Sequence, residues 1–185
     1  ERDVNGQLFE ADVRKMPFKE NFFDIALAAD LIEHLDNNDM VVDFLNEIDR
    51  VLKPGGILYL HTAPNRLRLE LFVKYYQRYL NFFIFKILNL LGKKEYQPSL
   101  DLRSPTDKIV HVNEQTYFSL KKNLLRSPFK DYQIEIVGDP LMFNFRFCLW
   151  KLPYYFLGYF FPFNKIFPLS IILGNHFYVK AKKQL

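Results

Sequence analysis

Three features of the sequence predict an open α/β fold with a parallel strand pair. Residues 24–29, "DIALAA", form a short run of small apolar side chains, as expected of a strand buried on both faces. Val41, Phe44, Leu45, Ile48, Val51 and Leu52 then recur at helical spacing. After a glycine pair, "ILYLHTAP" at 57–64 reads as a second buried strand. Strand, helix and strand in that order make a βαβ unit, whose crossover is expected to be right-handed.

The remaining elements follow in order. Gln7–Ala11 reads as a short strand ending at Asp12, and Pro17 breaks the polar turn region behind it. "DNND" offers N-caps for the first helix. "KPGG" ends that helix, because Pro54 cannot continue it and Gly55 and Gly56 permit a sharp reversal. From Arg66 to about Leu91 the chain reads as a greasy helical segment with scattered Lys and Arg, followed by a loop containing Pro98 and Pro105. A helix is expected from about Glu114 with Asn113 as its N-cap, and Tyr132–Asp139 and His176–Lys183 alternate like strands. The expected organisation is a core part at 1–65, a helical insertion at 66–112, a core helix and strand at 113–140, an aromatic insertion at 141–175 and a final strand at 176–185.

A chain of 185 residues with 49% hydrophobic and 25% charged side chains fits one domain with a sizeable core, which argues against global disorder. The single cysteine, Cys148, excludes an intrachain disulfide and a thiolate cluster, and suits a reducing, cytoplasmic compartment. The net charge of +4 conceals an asymmetry: residues 1–65 hold 13 acidic and 6 basic side chains, whereas residues 66–185 hold 8 and 19. Two surfaces with different partners are implied, the basic one suited to phosphate or anionic lipid; ordinary solvation of surface helices is the alternative. Glu1–Gln7 lacks the apolar core of a signal peptide, and Glu1 as first residue suggests a fragment or a processed start.

In open α/β sheets ligands sit beyond the carboxyl ends of the strands, so Asp12, Ala29-Asp30 and Thr62–Asn65 are the informative positions. "ADVRKMPFKENFFDIALAADLIEHL" followed by "FLNEIDRVLKPGGILYLHTAPN" resembles the class I S-adenosylmethionine-dependent methyltransferases of type 11. The resemblance is close over residues 7–65, and "HVNEQTYFSLKKNLLRSPF" resembles a later helix of that family less closely. It implies a Rossmann-like sheet with helices on both faces, here incomplete and lacking the first strands. No strand leads into a Gly-x-Gly-x-Gly loop, and Gly6 is the only glycine before Gly55, so that part is expected upstream of Glu1.

Carried over residue by residue, the resemblance implies S-adenosylmethionine as cofactor. Asp12 matches the acid that accepts from the adenine amino group, a donor suited to a carboxylate, with the Val13 backbone beside the ring. The alternative for Asp12 is capping of the next turn. Ala29 and Asp30 match positions flanking the methionine moiety, with Leu31 next to them, although Asp30 also suits a helix cap.

Asp30, Glu33 and His34 have the spacing that shares one face of a helical turn. Acid-x-x-Glu-His also resembles quinone-biosynthesis O-methyltransferases, where such residues hold a divalent metal. Because "EHL" occurs across the superfamily without metal, no metal is expected here. His34 is the catalytic candidate as a general base, with an unperturbed pKa of about 6.5; ligand and structural roles stay open. Asn65 in "TAPN" stands where the family shows a turn leading to the acceptor side, and His111 and Tyr117 in "HVNEQTY" match positions that close over the substrate in relatives, with helix-entry packing as the alternative for those two.

The 36 residues between Asp139 and His176 are rich in aromatic side chains with Arg146, Lys151 and Lys165 among them. Their longest uncharged run is 13 residues, Leu152–Asn164, shorter than the roughly 18 needed to span a bilayer. A surface lying in a membrane interface is one reading, and a private hydrophobic subdomain or dimer contact is the other. Nucleic acid is not an expected partner, because the aromatics cluster with Leu and Ile. The function implied is methyl transfer, by direct displacement, to a small apolar or lipid-like acceptor. The alternative is a non-catalytic, methyltransferase-like binding or scaffold protein.

Overall fold

The computed structural model describes residues 6–67, 109–137 and 168–185, together with 79, 82, 83, 86, 87 and 89–92. Most of the helical insertion expected at 66–112 and of the aromatic insertion expected at 141–175 lies outside the described residues, and so does the membrane-interface surface read into them.

Among the described residues four strands form one sheet. β1 (Phe23–Ala29) leads through a 3-10 turn (Ile32–His34) into α1 (Asn38–Val51) and then β2 (Leu52–Thr62). α2 (Tyr117–Arg126), β3 (Asp131–Val137), α3 (Ser170–Leu173) and β4 (His176–Lys182) follow. The order across the sheet is β1-β2-β4-β3, with β1 and β2 parallel and β4 antiparallel to both of its neighbours.

The βαβ unit forms where its apolar pattern places it. Asn37 caps α1, its side chain accepting from the Met40 N–H at 3.0 Å, so the helix starts inside the polar "DNND" stretch. The stripe Val41, Phe44, Leu45 and Ile48 is buried together with Leu120 and Leu124 of α2. The sheet contributes Leu58, Leu60, Phe177, Val179 and Ala181 to the same cluster, alternate residues of β2 and β4 as the period of two requires. α2 begins later than the expected Glu114. Thr116 caps it in a reciprocal pair with Ser119, while the Asn113 N–H donates to the Glu33 carbonyl at 3.0 Å.

Three expectations need correction. Gln7–Asp12 is not a strand: it is exposed and, among the described residues, has no strand beside it to complete a ladder. "DIALAA" is a strand but is not buried on both faces: Ala28 is 6% exposed, Ile25 59% and Leu27 78%, because α1 and α2 cover one face only among the described residues. "KPGG" is not a turn ahead of the second strand. Residue Leu52 already pairs with Phe23, the next pair is Ile57 with Ile25, and residues 53–56 are a bulged excursion between them. Gly55 takes φ +78° there, and a Cβ on Gly56 would stand 2.8 Å from the Lys53 carbonyl oxygen.

Lys183 ties the two ends of this arrangement. Its Nζ donates to Asn21 Oδ1 at 3.0 Å and to the carbonyls of Asp49 and Leu52 at 2.7 and 2.9 Å. A cation thus meets the carboxyl end of α1, where the helix dipole favours it. No described helix is long and apolar enough to cross a membrane.

Candidate functional site at the carboxyl ends of the strands

The parallel pair β1 and β2 places Ala29-Asp30 beside His61-Thr62 at one end of the sheet. Asp30 leaves β1 in the left-handed region, φ +49°, uncommon for a residue with a side chain. Its N–H donates to the His61 carbonyl at 3.1 Å, and its Oδ1 lies 3.0 Å from His61 Nδ1. His61 Nε2 in turn lies 2.9 Å from His176 Nδ1 on β4. The two imidazoles stack with ring centroids 5.1 Å apart, and Tyr178 lies 4.7 Å from His61.

Asp30, Glu33 and His34 do not converge on a shared face. Asp30 turns to His61, while Glu33 turns inward, is 1% exposed and accepts from Thr62 Oγ1 at 2.7 Å. His34 is exposed, with Nδ1 2.7 Å from the Val110 carbonyl. A carbonyl only accepts, so Nδ1 carries hydrogen and Nε2 is the basic nitrogen of the neutral ring. The short 3-10 turn, rather than an α-helical turn, accounts for the divergence. Among the described residues no three His, Cys, Asp or Glu side chains converge as metal ligands.

The structure does bring His34 and His111 together, with ring centroids 5.1 Å apart. Tyr117 opens α2, half-buried, with Lys121 Nζ 5.9 Å from its ring centroid. Asn65 is fully buried. Its Nδ2 donates to the Ile171 and Gly174 carbonyls at 2.7 and 2.9 Å, and its Oδ1 accepts from the Leu67 N–H at 3.0 Å. Both amide hydrogens of Asn65 are thus committed to carbonyls of the segment before β4.

Asp12 and Val13 lie in the loop before β1. Asp12 accepts from Arg14 Nη2 at 2.7 Å, Arg14 Nε at 3.0 Å and the Arg14 N–H at 2.9 Å. These hydrogen bonds from the Arg14 side chain, then its backbone, hold the Asp12 carboxyl down to about 2. Val13 and Met16 are partly buried against the core. A clamp that the sequence did not reveal anchors this loop to α1. Glu47 Oε1 accepts from the Met16 N–H at 2.6 Å and from Arg50 Nη2 at 2.6 Å, while Arg50 donates on to the Phe18 and Met16 carbonyls at 2.9 and 3.2 Å. Arg50 lowers the Glu47 carboxyl below its ordinary range despite its burial. A cleft of about 510 Å³ opens between this loop and α1, lined by Asp12, Arg14, Lys15, Asp43, Asn46, Glu47 and Arg50. None of Ala29, Asp30 or His34 lines it.

Residues 1–60 match the family model described as a methyltransferase domain. The chain is 42% identical over 99 residues to the 2-phytyl-1,4-naphtoquinone methyltransferase of Nostoc punctiforme, covering 50% of this chain and 40% of that protein. It is 31% identical over 122 residues to the ubiquinone/menaquinone biosynthesis C-methyltransferase UbiE of Teredinibacter turnerae, covering 64% of this chain and 45% of that protein. The matches thus span less than half the length of these relatives. Among solved structures, a SAM-dependent methyltransferase from Archaeoglobus fulgidus superposes with a TM-score of 0.51 at 16% identity, over 95% of this chain and 66% of that one. That likeness shows the fold, an open Rossmann-like sheet of the kind the resemblance implied. The domain match over residues 1–60, the relatives and the fold all point to a class I methyltransferase domain.

Proposed function

We propose that this protein transfers a methyl group from S-adenosylmethionine to a small apolar, quinone- or lipid-like acceptor. The observation that carries the reading is the methyltransferase match over residues 1–60, which takes in Asp30 at the end of β1 and ends on β2. The nature of the acceptor rests on the relatives, one named for a phytyl naphthoquinone and others for ubiquinone and menaquinone biosynthesis. Asp12, Val13, Ala29, Asp30 and Leu31 form the proposed cofactor set, and His34 with His111 and Tyr117 the acceptor side. In this assignment the exposed Nε2 edge of His34 takes the acceptor's proton as the carbon–sulfur bond breaks and the new bond to the methyl carbon forms. Positioning supplies much of the rate, since the sulfonium is already activated.

Calorimetry of S-adenosylmethionine against the complete protein tests the cofactor, and radiolabelled methyl transfer to a prenylated naphthoquinol tests the acceptor. Absence of cofactor binding leaves the non-catalytic alternative. Binding without transfer to the quinol removes only the acceptor class.

A further inference from the structure

His34 and His111 are held side by side by the backbone around them. The Val110 carbonyl takes the hydrogen on His34 Nδ1 at 2.7 Å, and that carbonyl shares its peptide unit with the His111 N–H. The bond that orients one imidazole therefore also seats the other. A second strap, from the Asn113 N–H to the Glu33 carbonyl at 3.0 Å, closes residues 110–113 onto the turn at Ile32–His34. The two rings lie with centroids 5.1 Å apart and planes inclined by 58°. His34 is exposed and His111 half-buried, so both can be reached from solvent. Among the described residues no hydrogen bond engages His34 Nε2.

This arrangement has the chemistry of a chelating pair. A histidine that ligates a metal through one nitrogen donates its other N–H to a carbonyl or carboxylate, which fixes the tautomer and aims the lone pair. The Val110 carbonyl does this for His34. Nitrogen–zinc bonds are about 2.0–2.1 Å long, so two imidazoles sharing a tetrahedral ion have ring centroids about 5 Å apart, which matches this pair. Asp30 and Glu33 take no part, since Asp30 meets His61 and Glu33 accepts from Thr62 in the interior. The donors are two neutral imidazoles, with water to complete the shell. Nitrogen donors of this kind suit zinc, nickel and copper, whereas magnesium and calcium take oxygen.

We propose that His34 and His111 form a two-imidazole site for a zinc-class divalent cation. The site needs only this pair and does not rest on the cofactor reading above. Where that reading holds, an ion on His34 Nε2 occupies the nitrogen that takes the acceptor's proton, so the site acts as a brake on transfer.

Calorimetry of zinc chloride against the complete protein tests the site, with magnesium chloride as the control. Zinc is expected to bind and magnesium is not. His34→Gln and His111→Gln are each expected to lower zinc affinity about tenfold or more, because the loss of either ring opens the chelate. Nitrogen-15 spectra of the unmodified protein read the same contact without a variant: zinc is expected to shift the His34 and His111 ring resonances together. Zinc that moves neither ring, or His34 alone, overturns the inference. An affinity within about twofold of the parent in either variant overturns it as well. Binding of S-adenosylmethionine, measured in parallel, is unaffected by these outcomes, so failure of the zinc site leaves the cofactor reading standing.

Discussion

Thr62→Val tests whether the strand end is organised by the buried Glu33. Thr62 and Glu33 are each 1% exposed, and the hydroxyl donates to Oε2 at 2.7 Å. Valine keeps the shape of threonine and removes only that donor, so a buried carboxyl oxygen loses its partner without a cavity forming. Leaving a buried acceptor unsatisfied costs about 1–3 kcal/mol, and the upper part of that range applies here because water cannot replace the hydroxyl. For a chain of this size each kcal/mol lowers the melting temperature by about 2–4 °C. Urea unfolding of the complete protein reads the loss as a shift in midpoint at constant slope. The companion Glu33→Met/Thr62→Val is expected to lose less than Thr62→Val alone, because it leaves no polar atom stranded. A Thr62→Val midpoint within about 0.5 kcal/mol of the parent, or a double variant worse than the single, refutes the account.

Three further outcomes follow from the same geometry. The Asp12 carboxyl titrates near 2 in the folded protein, below its ordinary 3.8. Because its pKa is depressed, the stabilisation it gives is present above the unfolded value and lost as pH falls through the folded one. The carboxyl carbon resonance of Asp12 is therefore expected to move below pH 3, and Arg14→Gln to return its midpoint toward the ordinary range. Gly174→Ala is expected to destabilise by about 1–3 kcal/mol in thermal unfolding, because the new Cβ collides with Ile136 Cγ2 and stands 2.9 Å from the Ser170 carbonyl oxygen; Ile136→Ala in the same chain relieves part of it. Asn65→Ala is expected to cost about 1–3 kcal/mol for each of the two carbonyls it leaves without a donor. An unchanged stability with a raised KM for the acceptor would return Asn65 to the binding residues.

The elements whose burial is periodic were legible in the sequence. α1, β3 and β4 fall within a few residues of their expected bounds, since each sets an apolar face against the same cluster and a shift would turn that face to water. The expectation of a strand at Gln7–Ala11 failed because a strand is a relation between two segments and a single segment does not contain it. The direction of Glu33 depended on whether residues 32–34 wind as an α or a 3-10 turn, a difference that spacing does not encode. The His61–His176 pair is set by 115 positions of intervening chain and by the antiparallel register that seats His61 opposite Tyr178. Its one trace in the sequence is a histidine at the polar end of each of two otherwise apolar strands, "LYLHT" and "NHFYV".

The strand order has a consequence for how the protein is made. β4 is the latest-synthesised of the four strands, yet it stands between β2 and β3. β3 therefore has no neighbour in this sheet until residues 176–182 emerge, and β1, α1 and β2 wait with an open edge on β2. Long-range pairing of this kind is slow and leaves apolar strands uncovered during synthesis, which is when a chaperone would engage them. A nonsense codon near residue 175 would then remove the middle of the sheet rather than its rim, together with the Lys183 contact that holds the end of α1 to the loop before β1. The ten residues from His176 to Leu185 act as a late checkpoint on whether the whole domain forms.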